Sequence, residues 1–277
     1  MSDQQFTEVR PQKPIWQYWH LIYTFGQRDL KSKFKGSALG WVWSLVVPLA
    51  TLTIYSAVFS IIFRAEPPMM GNGSPGVFVI WLFVGLIFWT FFSNVINNGI
   101  LELLGAGPIL QKVYFPAYAP VLGAGLAVGV QSLIELGILI VIMLVMGNIG
   151  WSWLLLIPFI AITVIFVGSV ATILAILNVY YRDLAHLVTI ALQLLFYVTP
   201  IIYPLTMVTQ QWRGIDLRAI LELNPLTSFV QLFRSLIYEL SPGTLNQWGA
   251  VTVTAGITLL LAYWVMARKG RDLGENV

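Results

Sequence analysis

The sequence predicts an all-α integral membrane protein. Six transmembrane helices are expected, with an N-terminal amphipathic interfacial helix and short extracytoplasmic gate helices before the last span. Of the 277 residues, 58% are hydrophobic and only 10% are charged, whereas a soluble domain carries roughly 25% charged residues. The mean hydropathy is +0.81. Six apolar stretches reach or exceed the roughly 20 residues that a helix needs to cross a bilayer.

Residues 1–37 are predicted to be a cytoplasmic N-terminal segment that contains the interfacial helix. An apolar stripe recurs there at helical spacing, formed by Ile15, Trp19, Ile22, Gly26, Leu30 and Phe34. Lysines cluster at the far end of this segment. An aromatic-rich helix with a basic end is typical of a helix lying in the headgroup plane. Anchoring of the first span by snorkelling lysines is the alternative interpretation.

The transmembrane domain is predicted to cover residues 38–267, and residues 268–277 form a cytoplasmic tail. The expected spans are residues 38–63, 77–101, 117–146, 151–178, 185–204 and 247–267. Placing the N-terminus in the cytoplasm puts 11 of the 15 basic residues on the cytoplasmic side. Because lysine and arginine favour that side, both termini are predicted to be cytoplasmic.

The segment between the fifth and sixth spans contains an amphipathic stretch that begins after Pro225. Its apolar face consists of Leu226, Phe229, Val230, Phe233, Leu236 and Ile237. Arg234 lies off that face. Proline is tolerated in the first turn of a helix, so the stretch is predicted to be a short helix packed at the outer mouth of the protein.

The sequence carries no recognisable catalytic or metal-binding motif. It contains no phosphate-binding loop of the form G-x-x-x-x-G-K-[ST], no cysteine and only two histidines. Paired carboxylates that could face one site are also missing. The chain is therefore predicted not to be an enzyme, and to hold no catalytic, cofactor-binding or metal-binding residues of its own.

Glu135 is the one acid inside a predicted span. An intramembrane carboxylate is costly to expose to lipid, which makes a functional role one interpretation. The other is a structural role, with hydrogen bonds to Gln131 or Ser132. A proton-coupled transporter would need further acids along a relay, and the sequence does not supply them.

Four groups of residues resemble one known family. They are RDLKSKFKGSALGWVWSLVVPL (28–49), KVYFP (112–116), NVYYRDLAHL with YVTPIIYP (178–204) and LNPLTSFVQLFR (223–234). In this order they are similar to the permease subunits of ABC-2 type polysaccharide exporters, which move O-antigen, capsule, teichoic acid or related lipid-linked glycans. The resemblance covers nearly the whole chain, apart from about the first 15 residues and residues 267–277.

The resemblance implies half of an ATP-driven exporter. Two copies of the chain would form a homodimer in the bacterial cytoplasmic (inner) membrane, surrounded by lipids. A separate ABC ATPase subunit would bind ATP and Mg. The substrate would be a polyprenyl-pyrophosphate-linked polysaccharide that passes through a channel between the two copies. No nucleic acid is expected as a partner.

The resemblance also implies roles for particular residues. The ATPase-docking surface would include Arg28, Asp29, Lys31, Lys112, Tyr114 and Phe115. The cytoplasmic entrance would include Arg182, Asp183 and His186. The channel lining would include Trp41, Tyr55, Phe59, Phe196 and Tyr197. The outer gate would include Asn224, Pro225, Phe229, Phe233 and Arg234.

Several interpretations remain open at this level. The Arg182–Asp183 turn could form an ion pair with the interfacial helix or contact the pyrophosphate of the substrate. The aromatic residues would stack on sugar rings, or they could simply face lipid and the membrane interface. An ABC-2 permease for a drug or small lipid is an alternative function. A stand-alone lipid-linked sugar flippase is another, although the internal repeats typical of secondary transporters are not seen.

Overall fold

The computed structural model describes residues 15–34, 40–62, 68–110, 112, 115–208, 211–212, 215–270 and 273. The described chain is helical, and its strand content is limited to a two-stranded antiparallel hairpin, β1 (Gln211–Trp212) and β2 (Ile215–Asp216). The helices are α1 (Trp19–Phe34), α2 (Trp43–Tyr55), α3 (Phe78–Gly105), α4 (Gly107–Leu110), α5 (Tyr118–Val145), α6 (Leu156–Tyr180), α7 (Leu184–Val198), α8 (Leu217–Leu223), α9 (Pro225–Ile237) and α10 (Leu245–Lys269).

Four segments are long and apolar enough to cross a membrane: Phe78–Gly105, Tyr118–Val145, Trp151–Tyr180 and Leu245–Lys269. They correspond to the predicted second, third, fourth and sixth spans. The prediction of an all-helical, multi-pass membrane protein is therefore confirmed for these four helices. The count of six spans stays a prediction, because the two remaining apolar helices are shorter.

Proline lies inside or just after each of the two shorter apolar helices. α7 has 15 residues and stops at Val198, with Thr199 in an extended conformation. Thr199 precedes Pro200, and a residue before proline is disfavoured in the helical region. α2 has 13 residues, contains Pro48, and continues into a π-helical segment, Ser56–Ile62.

α3 is the central helix of the bundle. It packs against α5, α6 and α9, while α10 packs on α6 and α1 packs along α5. The crossing of α1 and α5 depends on two glycines, Gly26 and Gly123. A Cβ on Gly123 would lie 2.5 Å from the Cβ of Phe25, so the two backbones approach too closely for a larger residue.

α9 is buried in the bundle. Asn224 caps its N-terminus by accepting a hydrogen bond from the backbone N–H of Leu226 at 3.0 Å, and Pro225 takes the first helical position. Asparagine and proline are favoured in these positions. The side chain of Asn148 then ties the other end of α9 to the α5–α6 turn, because its amide donates to the carbonyls of Ile237 and Tyr238.

The bundle thus has two ends. The "α1 end" carries Gly105, Tyr118, Tyr180 and Lys269, which are the last or first residues of four long helices. The "α9 end" is the opposite one.

Candidate functional site

A groove of about 750 Å³ lies between α2, α3 and α7, with α5 at its floor. Its aromatic residues are Tyr55, Phe83, Trp89, Phe196 and Tyr197. Its polar residues are Thr51, Thr90, Ser93, Asn97, Glu135, Thr189 and Gln193. The remaining lining is aliphatic. A concave surface that combines aromatic faces with a few polar groups is typical of a ligand-binding site.

The aromatic wall of the groove includes three residues expected in the channel lining. Phe196 lies 5.5 Å from Trp89 and 5.3 Å from Tyr197, measured between ring centroids. Tyr197 is 63% exposed, so its ring is available for contact. Tyr55 completes the wall from α2.

The other two residues expected in the lining are placed differently. Phe59 does not line the groove; it stacks behind Tyr55 at 6.0 Å and against Phe78 at 4.9 Å. The side chain of Trp41 lies outside the described residues. Trp89 also belongs to the aromatic wall. The sequence did not predict it as a lining residue, because nothing distinguishes it from the other aromatic residues of its span.

Polar side chains form the floor of the groove around Glu135. The hydroxyl of Thr90 donates to one carboxylate oxygen at 3.2 Å, and the amide of Gln131 donates to the other at 3.3 Å. Sequence reasoning did not identify Thr90, Ser93 and Asn97 as part of a site. Their spacing of three and four residues places them on one face of α3, so the sequence does contain a pattern that predicts a polar stripe on this helix.

Gln131 also holds the wall of the groove in place. Pro48 has no N–H, and the carbonyl of Ser44, four residues earlier, therefore lacks its helical donor. The amide of Gln131 donates to that carbonyl at 2.9 Å. The loosely packed helix α2 is thereby linked through Gln131 to Glu135.

At the α1 end, Arg28 forms an ion pair with Glu102 of α3 and lies 5.1 Å from the ring centroid of Phe25. Phe115 is buried and its ring lies 5.6 Å from that of Phe25. Lys31 and Lys112 are exposed. Of the residues expected to dock the ATPase, Arg28, Lys31 and Lys112 are therefore exposed, and Tyr114 lies outside the described residues.

Asp29, the neighbour of Arg28, is partly buried. Burial raises the pKa of this carboxyl above its ordinary value, and the nearby charges of Lys33 and Arg28 oppose the rise. Asp29 therefore contributes to the packing of α1 at some electrostatic cost, rather than acting as a freely hydrated surface acid.

The α6–α7 turn exposes Arg182, Asp183 and His186 at the α1 end. Within the described part of the chain, neither Arg182 nor Asp183 takes part in a salt bridge. The turn is closed instead by Asn178, whose side-chain oxygen accepts a hydrogen bond from the backbone N–H of Ala185 at 2.8 Å. The ion pair with the interfacial helix is thus not formed among the residues described.

The segment expected to form an outer gate is tightly packed. Phe229 stacks on Phe166 at 4.6 Å, and Phe233 stacks on Phe159 at 5.4 Å. Arg234, placed off the apolar face by the sequence pattern, is only 4% exposed. The sequence pattern predicted one apolar face for α9, but the helix is surrounded by α3, α6 and α10 and has no fully solvated side.

Arg234 and Asn224 both connect α9 to the chain that follows α7. Arg234 donates to the carbonyls of Pro200 at 2.7 Å and Ile201 at 2.6 Å. The amide of Asn224 donates to the hydroxyl of Thr199 at 3.0 Å. α9 therefore fixes the end of α7, which is one wall of the groove.

Among the residues that the structure describes, no group of three or more histidines, cysteines or acids is placed to hold a metal ion. The aromatic and polar residues that line the groove can stack and form hydrogen bonds with a ligand.

Comparison with known proteins gives a consistent result. Residues 20–238 match the ABC-2 type transporter family. The chain is 30% identical to the O-antigen export system permease protein RfbA of Myxococcus xanthus, over 97% of this chain and 100% of the relative. It is 30% identical to the protein of the same name from Klebsiella pneumoniae, over 86% of this chain and 87% of the relative. It is 22% identical to the polysialic acid transport protein KpsM of Escherichia coli, over 85% of this chain and 87% of the relative.

Proposed function

This chain belongs to the ABC-2 type transporter family, and we propose that it is the permease subunit of an ATP-driven exporter of a polyprenyl-pyrophosphate-linked polysaccharide. Two copies would form the channel in the cytoplasmic membrane, with both termini in the cytoplasm. A separate ABC ATPase would bind ATP and Mg. The names of two relatives at 30% identity, which are O-antigen export permeases, support the choice of substrate.

The single observation that carries this proposal is the groove between α2 and α7. Tyr55, Trp89, Phe196 and Tyr197 present aromatic faces there beside a polar floor. Aromatic rings can pack on the apolar face of a sugar without requiring one fixed pattern of hydroxyl groups. Such a lining suits a polymer whose successive sugars must slide past the same residues.

The physical problem of export explains the need for a lined path. Each hydroxyl buried in hydrocarbon without a partner costs several kcal/mol, and an unpaired pyrophosphate charge costs far more. A long glycan also cannot fit into one closed pocket. The groove is open on one side, and α7 exposes the large apolar residues Leu187, Ile190 and Leu194 beside it. A second copy of the chain facing the groove would complete a continuous channel.

The α1 end is the proposed contact with the ATPase. Lys31 and Lys112 are exposed there, and α1 is joined to α3 through the pair of Arg28 and Glu102. A movement applied to α1 would therefore reach the helix that forms one side of the groove. The exposed Arg182–Asp183 turn at the same end is available to the pyrophosphate.

The test is export of polysaccharide by cells that depend on this chain. Replacing Phe196 and Tyr197 by alanine is expected to reduce surface polysaccharide strongly while the protein level is unchanged. Tyr263→Ala is the matched control, because Tyr263 is also 63% exposed but lies on α10, away from the groove. Equal export by the groove variant and the control would refute the proposed path.

Two further measurements separate the alternative functions. A drug or small-lipid permease would show ATPase stimulation by those compounds and none by the lipid-linked glycan. A stand-alone flippase would continue to transport when the ATPase subunit carries an inactivating mutation. We expect stimulation by the glycan, and complete loss of export with the inactive ATPase.

A further inference from the structure

Glu135 is the feature of the groove that aromatic stacking does not explain. It lies near the middle of α5, which is long and apolar enough to span a membrane, and it lines the groove. Its side chain is partly exposed there. An acid in such a position is rare because of its cost, so its role requires a specific account.

The carboxylate has acceptor capacity to spare. Two ionised oxygens can accept about four hydrogen bonds, and Thr90 and Gln131 each provide one. A ligand in the groove could supply donors for the rest. Ser93 and Asn97 continue the polar stripe of α3 on one side, and Gln193 of α7 faces them. The floor therefore offers one strong acceptor within a ring of weaker polar groups.

The charge of the groove limits the class of ligand. Among the described residues that line it, Glu135 is the one with a formal charge at neutral pH. The charge of Lys33 on α1 also acts on Glu135, but Lys33 is not among the lining residues. Sugar hydroxyls can donate to a carboxylate. A phosphate or a sugar carboxylate is negatively charged at neutral pH and is repelled by the carboxylate, more strongly in a site shielded from bulk water.

We propose that Glu135 is the hydrogen-bond acceptor of a sugar subsite in the groove, and that this subsite selects uncharged, hydroxyl-rich glycans over anionic ones. The proposal rests on the proposed function and narrows its substrate class. The aromatic residues hold the faces of the sugars, while Glu135 orients their hydroxyl edges. The negatively charged pyrophosphate end of the substrate does not rest at this point.

The absence of cysteine from the sequence allows a direct test. Ser93→Cys places a single thiol in the groove with minimal change of shape. The reconstituted permease–ATPase complex is treated with a water-soluble maleimide in the presence of mannohexaose, a neutral probe, or an oligosialic acid of the same length, an anionic probe. Asn246→Cys is the control thiol, because Asn246 is exposed at the start of α10.

Mannohexaose is expected to slow labelling at position 93 but not at position 246, and the oligosialic acid is expected to slow neither. When Glu135→Leu is added, about tenfold more mannohexaose should be needed to give the same protection of position 93, since a hydrogen bond to a charged group is lost. Glu135→Gln keeps a hydrogen-bonding side chain of the same length but removes the charge. It should retain part of the protection by mannohexaose and admit the oligosialic acid.

Three results would overturn the inference: equal protection by the two probes in the unchanged Glu135 background, full protection by mannohexaose with leucine at position 135, or no protection by either probe. None of these results depends on polysaccharide export. If labelling contradicts the role of Glu135 while alanine at positions 196 and 197 still strongly reduces export, the proposed function stands and the subsite does not. If export is unaffected by the aromatic variants, the proposed function itself has failed.

Discussion

The guanidinium carbon of Arg234 lies 3.4 Å from the centroid of the Trp81 ring. The same side chain donates to the backbone carbonyls of Trp81, Pro200 and Ile201. A buried cation is costly unless it is fully hydrogen-bonded, and here carbonyl oxygens and an aromatic face take the place of a carboxylate. This contact joins α9, α3 and the chain that follows α7.

The first prediction concerns the loss of this cation. Arg234→Met leaves the carbonyls of Pro200 and Ile201 without their donor. We expect the free energy of unfolding to fall by about 2–6 kcal/mol, because each of the two buried acceptors without a partner costs about 1–3 kcal/mol. The check is the Tm of the purified protein in detergent.

Arg268→Met is the matched control for this measurement. The guanidinium of Arg268 also lies over a tryptophan, Trp264, at 4.5 Å, but both side chains are exposed. An exposed cation–π contact is worth below about 1 kcal/mol. Equal decreases in Tm for the two variants would contradict a special role for the buried arginine.

The second prediction concerns the space that Arg234 occupies. A Cβ on Gly85 would lie 2.6 Å from the Nη2 atom of Arg234, whereas a Cβ on Gly249 of α10 would meet nothing within 4 Å. Glycine to alanine inside a helix normally stabilises by about 0.5–1 kcal/mol. We therefore expect Gly249→Ala to raise the Tm and Gly85→Ala to lower it. A gain in both variants would show that the guanidinium moves aside without cost.

The third prediction concerns the attachment of α2. Pro48→Ala restores an N–H that can bond to the carbonyl of Ser44, which makes the donor from Gln131 redundant at that carbonyl. Gln131→Leu should therefore lower the free energy of unfolding by about 1–2 kcal/mol in the natural protein. The decrease should be distinctly smaller when position 48 is alanine. A double-mutant cycle on Tm measures the coupling, expected at about 0.5 kcal/mol or more. Strict additivity would mean that the two residues act independently.

The fourth prediction separates two roles for Arg28. If its pair with Glu102 serves to hold α1 against α3, Arg28→Glu should weaken copurification of the ATPase subunit, and Glu102→Arg in the same chain should restore it. The effect on Tm alone should be small, since a partly exposed ion pair contributes about 0–1 kcal/mol. Failure of the charge reversal to rescue would indicate that Arg28 contacts the ATPase directly. Lys31→Glu is the comparison, because Lys31 is exposed.

The fifth prediction follows from the raised pKa of Asp29. A carboxyl with a higher pKa in the folded state binds protons more tightly there than in the unfolded chain, so its ionisation reduces stability as pH rises. Asp29→Asn removes this loss of stability, because asparagine does not ionise. Between about pH 4 and about pH 7, the Tm of the variant should gain relative to that of the natural protein. A difference in Tm that is constant over this range would contradict the shift.

Several features of the fold could be predicted from residue type alone. The four long helices fall within a few residues of the expected spans because hydrophobicity acts over the whole segment. The early end of α7 had a local signal, the dipeptide Thr199–Pro200, but an apolar stretch that continues to residue 204 outweighed it. The cap of α9 by Asn224 and Pro225 was also visible locally.

The candidate site was only partly predictable. Tyr55, Phe196 and Tyr197 line one groove, but their role in lining a channel stays a prediction. Phe115, expected at a docking surface, is instead buried against Phe25, and Phe59 supports Tyr55 from behind. Nothing in the sequence near these residues specifies which distant ring they meet.

The sequence by itself determined that the chain is helical, that it belongs in a membrane and where its four long apolar helices lie. These properties depend on the transfer of apolar side chains out of water, which adds up residue by residue along the chain. The tertiary structure alone decided that Gln131 takes the carbonyl released by Pro48, and that the carbonyls after α7 surround Arg234. Such pairings depend on directional hydrogen bonds between segments far apart in sequence, and only the packed helices bring those groups within reach.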